Sequence, residues 1–141
     1  MLNRLEAEES FMEKVTGIGG IFFRAKDPEM LAKWYENNLG IDQMPDDYGI
    51  LGWRPKGGPT LFLPFDHTME DFKTIPNQNF MLNFRVNDLS AMVIQLRKAG
   101  IEVSVGAEKE PNGYFAQLHD PEGNCIELWE PLGVEKDAQE L

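Results

Sequence analysis

Phe23-Arg24-Ala25-Lys26-Asp27 leads into a helical stretch that closes at Leu39-Gly40-Ile41, and Phe84-Arg85-Val86-Asn87-Asp88 leads into another that closes at Ala99-Gly100-Ile101. Each copy reads strand, aspartate, amphipathic helix, glycine, strand. A unit of this size stated twice predicts two matching half-sheets related by a pseudo-twofold axis. Two curved half-sheets set side by side leave a concave cleft between them, and clefts are where small molecules bind. The repetition therefore points to an architecture and to the place of a site, before it says anything of a reaction.

Around each copy the local signals agree. Asp27-Pro28-Glu29 places a capping carboxylate, a proline at the first helical position and an acid in the positive first turn. Met30, Leu31, Trp34, Tyr35 and Leu39 recur at helical spacing, and Gly40 supplies a left-handed stop. Residues 17–25 alternate as a strand should, and further strands are expected over 41–43, 49–54 and 60–65, with Gly57-Gly58-Pro59 as the turn between the last two. The second copy predicts a strand over 80–86, a helix over 88–99 and a strand over 101–105. A hairpin of 114–119 and 124–130 should follow, across Asp120-Pro121-Glu122-Gly123. The order is βαβββ twice, an α+β domain with helices on the convex side of a curved mixed sheet. The expected division is an extension over 1–14 with a loose helical stripe, one domain over 15–131 built from modules 15–66 and 79–131 with a linker over 67–78, and an acidic tail over 132–141.

Bulk composition narrows the function classes. The chain has 141 residues, enough for one domain with a real core, and its apolar and charged fractions of 42% and 26% are those of an ordinary globular protein. No apolar run approaches the roughly 20 residues that span a bilayer. The first residues are rich in glutamate and lack the apolar centre of a secretory signal. With one cysteine, Cys125, an internal disulfide is impossible, and a cytoplasmic location is expected. The net charge of -11 argues against nucleic acid and anionic membranes as partners and is compatible with a cationic ligand.

Three strings in order resemble the vicinal oxygen chelate superfamily, the glyoxalase/bleomycin-resistance/dioxygenase group. They are Phe22-Phe23-Arg24-Ala25-Lys26-Asp27 running to Trp34-Tyr35-Glu36-Asn37-Asn38-Leu39-Gly40, then Phe84 to Leu89, then Asp120-Pro121-Glu122-Gly123-Asn124-Cys125-Ile126-Glu127-Leu128-Trp129-Glu130. The resemblance covers roughly residues 15–131 and implies the paired-module fold with its cleft, and a homodimer. It also implies one divalent metal held by four side chains, one from the first and one from the last strand of each module. Those positions fall here on Gly20, near Phe62, on Met81 and on Glu127. Glycine and phenylalanine cannot ligate, a thioether suits the hard or borderline ions poorly, and one carboxylate does not hold zinc or magnesium where three or four ligands are needed. His67 and His119 lie away from the ligand positions, so no cofactor is expected.

Alternation along the strands nominates the cleft lining. Phe22 and Arg24 go with Gly20; Asn83 and Arg85 go with Met81; Cys125 and Trp129 go with Glu127; and Phe62 completes the first module, with Trp53 and Tyr114 as further walls. Arg24 and Arg85 have two readings, as ligand contacts or as partners of acids across the sheet, and Glu127 has two as well, catalytic group or partner of an arginine. Three functions remain open on this lining. One is a small-molecule binding protein holding an aromatic or cationic compound. Another is a metal-dependent lyase, isomerase or dioxygenase. The third is a metal-free enzyme in which Glu127 moves protons.

Overall fold

The computed structural model describes residues 12–69 and 78–138. Helix α1 spans Pro28–Leu39. It starts where the sequence says, with the Asp27 side chain accepting the Met30 N–H at 3.2 Å and Pro28 needing no partner. It stops at Gly40, whose φ of 71° lets its N–H turn back to the Glu36 carbonyl at 3.1 Å. Just past the stop, Glu36 accepts both the Gln43 backbone N–H and the Gln43 side-chain amide, which holds its carboxyl below the ordinary value.

The second half forms β1 (Leu82–Arg85), α2 (Leu89–Lys98), β2 (Val103–Val105), β3 (Gly113–His119) and β4 (Cys125–Pro131), followed by a short α3 (Val134–Ala138). Asp88 caps α2 through the Ala91 N–H at 3.0 Å, and Arg97 and Lys98 complement the negative end. The strands make one open sheet in the order β1-β4-β3-β2, with β1 parallel to β4 and the other pairs antiparallel. This is an α+β fold on a mixed sheet, as the βαβββ order predicts.

Register divides the sheet into a dry face and an open face. Leu82, Ile126, Leu118 and Val103 stand in one cross-strand row, with Phe84, Leu128 and Ala116 in the next row of the same face. All of these but Leu82 pack with Leu89, Val93 and Leu96 of α2 and with Leu31 and Tyr35 of α1 in a single core. Helices from both halves thus cover the same side. The other side carries Met81, Asn83, Arg85, Glu127, Trp129, Phe115 and Gln117. Gly113 opens β3 at φ 142°, where an added Cβ would collide with the Glu130 carbonyl oxygen.

Two junctions seat α1 on the second half. The Glu122 carboxylate in the β3–β4 turn accepts the Lys26 and Asp27 N–H groups at 2.6 and 3.1 Å. Behind it, the buried Tyr35 hydroxyl donates to Asp120 at 2.7 Å. Asp120 is only 4% exposed and also accepts the Glu122 N–H, the Asn124 N–H and the Asn124 side-chain amide, so the turn is organised around one saturated carboxylate.

The first half departs from the expectation at its strands. The segments 17–25, 41–43, 49–54 and 60–65 form no strand with any other part of the described chain. Alternating apolar residues suit a segment to a sheet, but a strand exists only where a ladder of backbone hydrogen bonds forms, and the described residues show no such ladder here. The acidic tail makes α3 before the described residues end at 138. Residues 1–11 of the extension and 70–77 of the linker lie outside the described residues.

Candidate functional site

Glu127 lies at the middle of the open face because β4 is an inner strand and alternation turns residue 127 away from the core. The flanking strands put an amide on each side of it. Asn83 of β1 is its direct neighbour in register and donates from Nδ2 to Oε1 at 2.8 Å; Gln117 of β3 donates from Nε2 to Oε2 at 3.2 Å. Both carboxylate oxygens are therefore oriented by neutral donors. A carboxylate offers about four acceptor positions, so this one keeps capacity for a donor or cation approaching from the open side.

Sulfur and aromatic groups frame that carboxylate. Met81 Sδ lies 4.0 Å from both the Gln117 amide nitrogen and Cys125 Sγ. Further along β4, the Trp129 indole stacks on Phe115 with ring centroids 6.0 Å apart and planes 5° off parallel. Its Nε1 donates to the Asn112 carbonyl at 2.9 Å, which fixes the ring. Trp129 is buried, so Phe115, half-buried, is the ring that the stack offers outward.

The proposed lining residues divide into those that share this surface and those that do not. Met81, Asn83, Arg85, Glu127 and Trp129 stand together on it. Among the described residues Arg85 is paired with no acid: Nη1 donates to the Pro59 carbonyl at 2.7 Å and Nη2 to the Lys56 carbonyl at 3.0 Å, so its guanidinium ties the first-half turn to β1. Tyr114 is placed on the opposite side, because its register partner is Glu130 and its parity is that of Ala116 and Leu118. Trp53 meets the sheet through Phe84, edge to face at 6.3 Å, on the core side. Phe22 and Phe62 stand 96% and 91% exposed, and Arg24 is exposed as well. The Phe22 ring lies over Gly20, where an added Cβ would fall 2.8 Å from it, so these two residues do share a face. Gln117 and Phe115 were not nominated. The signal was there: Ala116 and Leu118 are the apolar alternates of that strand, which leaves 115 and 117 for the open side.

The metal of the resembling superfamily does not fit these residues. Of its four positions only Glu127 carries a donor suited to a divalent ion, and its two nearest polar neighbours present amide N–H groups to it. Among the described residues no three His, Cys, Asp or Glu side chains converge as a cation site would require. Away from the sheet's open face, a depression of about 300 Å³ lies between α1 and the last hairpin, lined by Trp34, Ile101, Glu102, His119 and Pro121 among others.

The glyoxalase-like domain family matches residues 20–129. The chain belongs to that family. Among solved structures, the chain is similar to TnmS3, an antibiotic-binding protein from Streptomyces sp. CB03234, at 26% identity and a TM-score of 0.60, covering 86% of this chain and 100% of that one. It shares the fold of a lactoylglutathione lyase from Agrobacterium tumefaciens at 20% identity and a TM-score of 0.52, over 84% of this chain and 96% of that one. It also shares that of a glyoxylase/bleomycin resistance protein/dioxygenase domain from Frankia sp. EAN1pec at 16% identity and a TM-score of 0.52, over 84% and 100%. No curated protein matches the chain. No helix among the described residues is long and apolar enough to cross a membrane.

Proposed function

We propose that this glyoxalase-like protein binds a small aromatic or cationic organic molecule against the open face of its sheet, as a homodimer in the cytoplasm and without a metal or other cofactor. The observation that carries this reading is Glu127, a carboxylate held by Asn83 and Gln117 in the middle of a surface framed by Met81 and Phe115. Small-molecule sites combine apolar groups with a few polar ones fixed in orientation, and this face supplies Met81 and Phe115 of the first kind and Glu127, Asn83 and Gln117 of the second. The net charge of -11 favours approach of a cation, and the likeness to an antibiotic-binding protein at 26% identity points the same way. With both oxygens engaged by amides, Glu127 is set up to accept hydrogen bonds.

Calorimetric titration with a planar aromatic cation such as an acridinium dye tests the reading. Saturable binding is expected, and Glu127→Gln should weaken it about 10- to 100-fold, the equivalent of a charge-assisted hydrogen bond of roughly 1.5–3 kcal/mol. An affinity left unchanged by Glu127→Gln overturns the assignment of the site to this carboxylate.

A further inference from the structure

Three polar side chains share the depression between α1 and the last hairpin, and none of them is satisfied by another described residue. Continuing the register of Val103 on Leu118 by one residue sets Glu102 opposite His119, and Trp34 reaches the same hollow from α1. Glu102 and His119 are exposed and Trp34 is half-buried. Their side chains make no hydrogen bond or ion pair with any other described residue, and the Trp34 Nε1 is not shut away from solvent. The three differ in what they offer. A carboxylate only accepts, an indole N–H only donates, and a neutral imidazole does both.

The hollow sits on a fixed floor. Tyr35 meets the Trp34 ring edge to face, with centroids 5.1 Å apart and planes at 81°, and its hydroxyl is pinned to Asp120 at 2.7 Å. Asp120 also lines the hollow, but its carboxylate already takes the Tyr35 hydroxyl, the Glu122 N–H, the Asn124 N–H and the Asn124 side-chain amide. Those four donors fill the acceptor positions of a carboxylate. The groups left for a ligand are therefore Glu102, His119 and the Trp34 N–H, between apolar walls from Trp34, Ile101 and Pro121. A volume of about 300 Å³ is at the small end for ligand pockets and suits a single ring.

The chemistry of these groups selects among ligand classes. An anion would face the Glu102 carboxylate, and no lysine or arginine lines the hollow to offset it. An ammonium ion would pair with Glu102 but has no acceptor for the indole N–H. A hydroxyl both donates and accepts, so a ring bearing several hydroxyls can serve all three groups at once while its C–H face lies on the apolar walls. We propose that this depression is a second binding site, for one neutral hexose ring. Glu102 accepts from one hydroxyl, Trp34 Nε1 donates to another, and His119 takes a third. The site is separate from the Glu127 face and does not depend on what binds there.

The test is nitrogen-resolved NMR of the full chain titrated with glucose, galactose and mannose in turn, each to about 100 mM, where a site of about millimolar Kd is saturated. At least one hexose should shift the Trp34 indole N–H together with the Glu102 and His119 resonances, in a saturable way, and leave the Asn83 and Gln117 amides still. Glu102→Gln, a change at an exposed position, should raise the Kd for that sugar about tenfold, as the loss of a charge-assisted hydrogen bond does. The shifts and the Kd should be the same in protein already saturated with the acridinium dye. No saturable shift with any of the three sugars overturns the proposal. So does a Kd that Glu102→Gln leaves unchanged, or n-butylammonium saturating the same resonances more tightly than every hexose. The two sites fail separately: hexose shifts at Trp34 without dye binding sink the Glu127 reading alone, and dye binding without hexose shifts sinks this one alone.

Discussion

Replacing Tyr35 with phenylalanine removes one hydroxyl and leaves the ring in place. That hydroxyl donates to Asp120 at 2.7 Å inside a junction that seats α1 on the second half. Hydrogen bonds to charged groups are worth about 1.5–3 kcal/mol. Three other donors remain on the Asp120 carboxylate, so the lower half of that range applies, about 2 kcal/mol. In a domain of this size the loss corresponds to a fall of about 4–8 °C in Tm. The pH dependence adds a second signature. Burial first, then the hydrogen bond to Asp120 and its charge, push the Tyr35 hydroxyl well above its ordinary value. A folded-state value above the unfolded one means the stabilisation is complete below about pH 10 and is lost as pH rises beyond it, because the unfolded chain deprotonates first. Urea denaturation followed by tryptophan fluorescence at pH 7 and at pH 11 reads both. Tyr35→Phe should be less stable than the parent at pH 7 and should lack the tyrosine part of the parent's alkaline decline. Equal midpoints at pH 7, together with parallel losses at pH 11, would refute the reasoning.

Gly113→Ala sets a Cβ against the Glu130 carbonyl at a left-handed φ of 142°, and should cost about 2–4 kcal/mol or abolish soluble expression; a denaturation midpoint equal to the parent's would show that the β3 entry can relax. Leu118→Ala removes a side chain with 0% exposure from the middle of the core, and thermal unfolding should report a loss of about 2–5 kcal/mol; a loss under about 1 kcal/mol would mean that the core collapses onto the gap.

The second half was legible almost element by element, because its signals are local and its partners lie close in sequence. Asp88 caps α2, the Asp120-to-Gly123 turn closes the β3–β4 hairpin, and Ile126 and Leu128 face the core as alternation requires. In the first half, Asp27, Pro28 and Gly40 fixed both ends of α1 for the same reason. The strands around it could be read only as segments suited to a sheet. Side-chain alternation says that Phe22 and Arg24 share a face; it does not say which chain, or which strand, lies alongside. Tyr114 is a different case, since its strand carried the signal: Ala116 and Leu118 are the apolar alternates, so Tyr114 shares their side and Phe115 and Gln117 take the other. Arg85 was read as a ligand contact or as a partner of acids, and it serves two backbone carbonyls that no charge pattern announces. The junction of Tyr35 with Asp120 was equally hidden, since nothing in either local sequence names the other.

The central claim is that the ligand lands on the Glu127 face, and nitrogen-resolved NMR during titration with the acridinium dye addresses it most directly. The account predicts that the Asn83 and Gln117 side-chain amides shift in step with saturation. Resonances of Glu102 and His119, beside the depression near α1, should stay still. Shifts confined to Glu102 and His119, with the two amides unmoved, would contradict it.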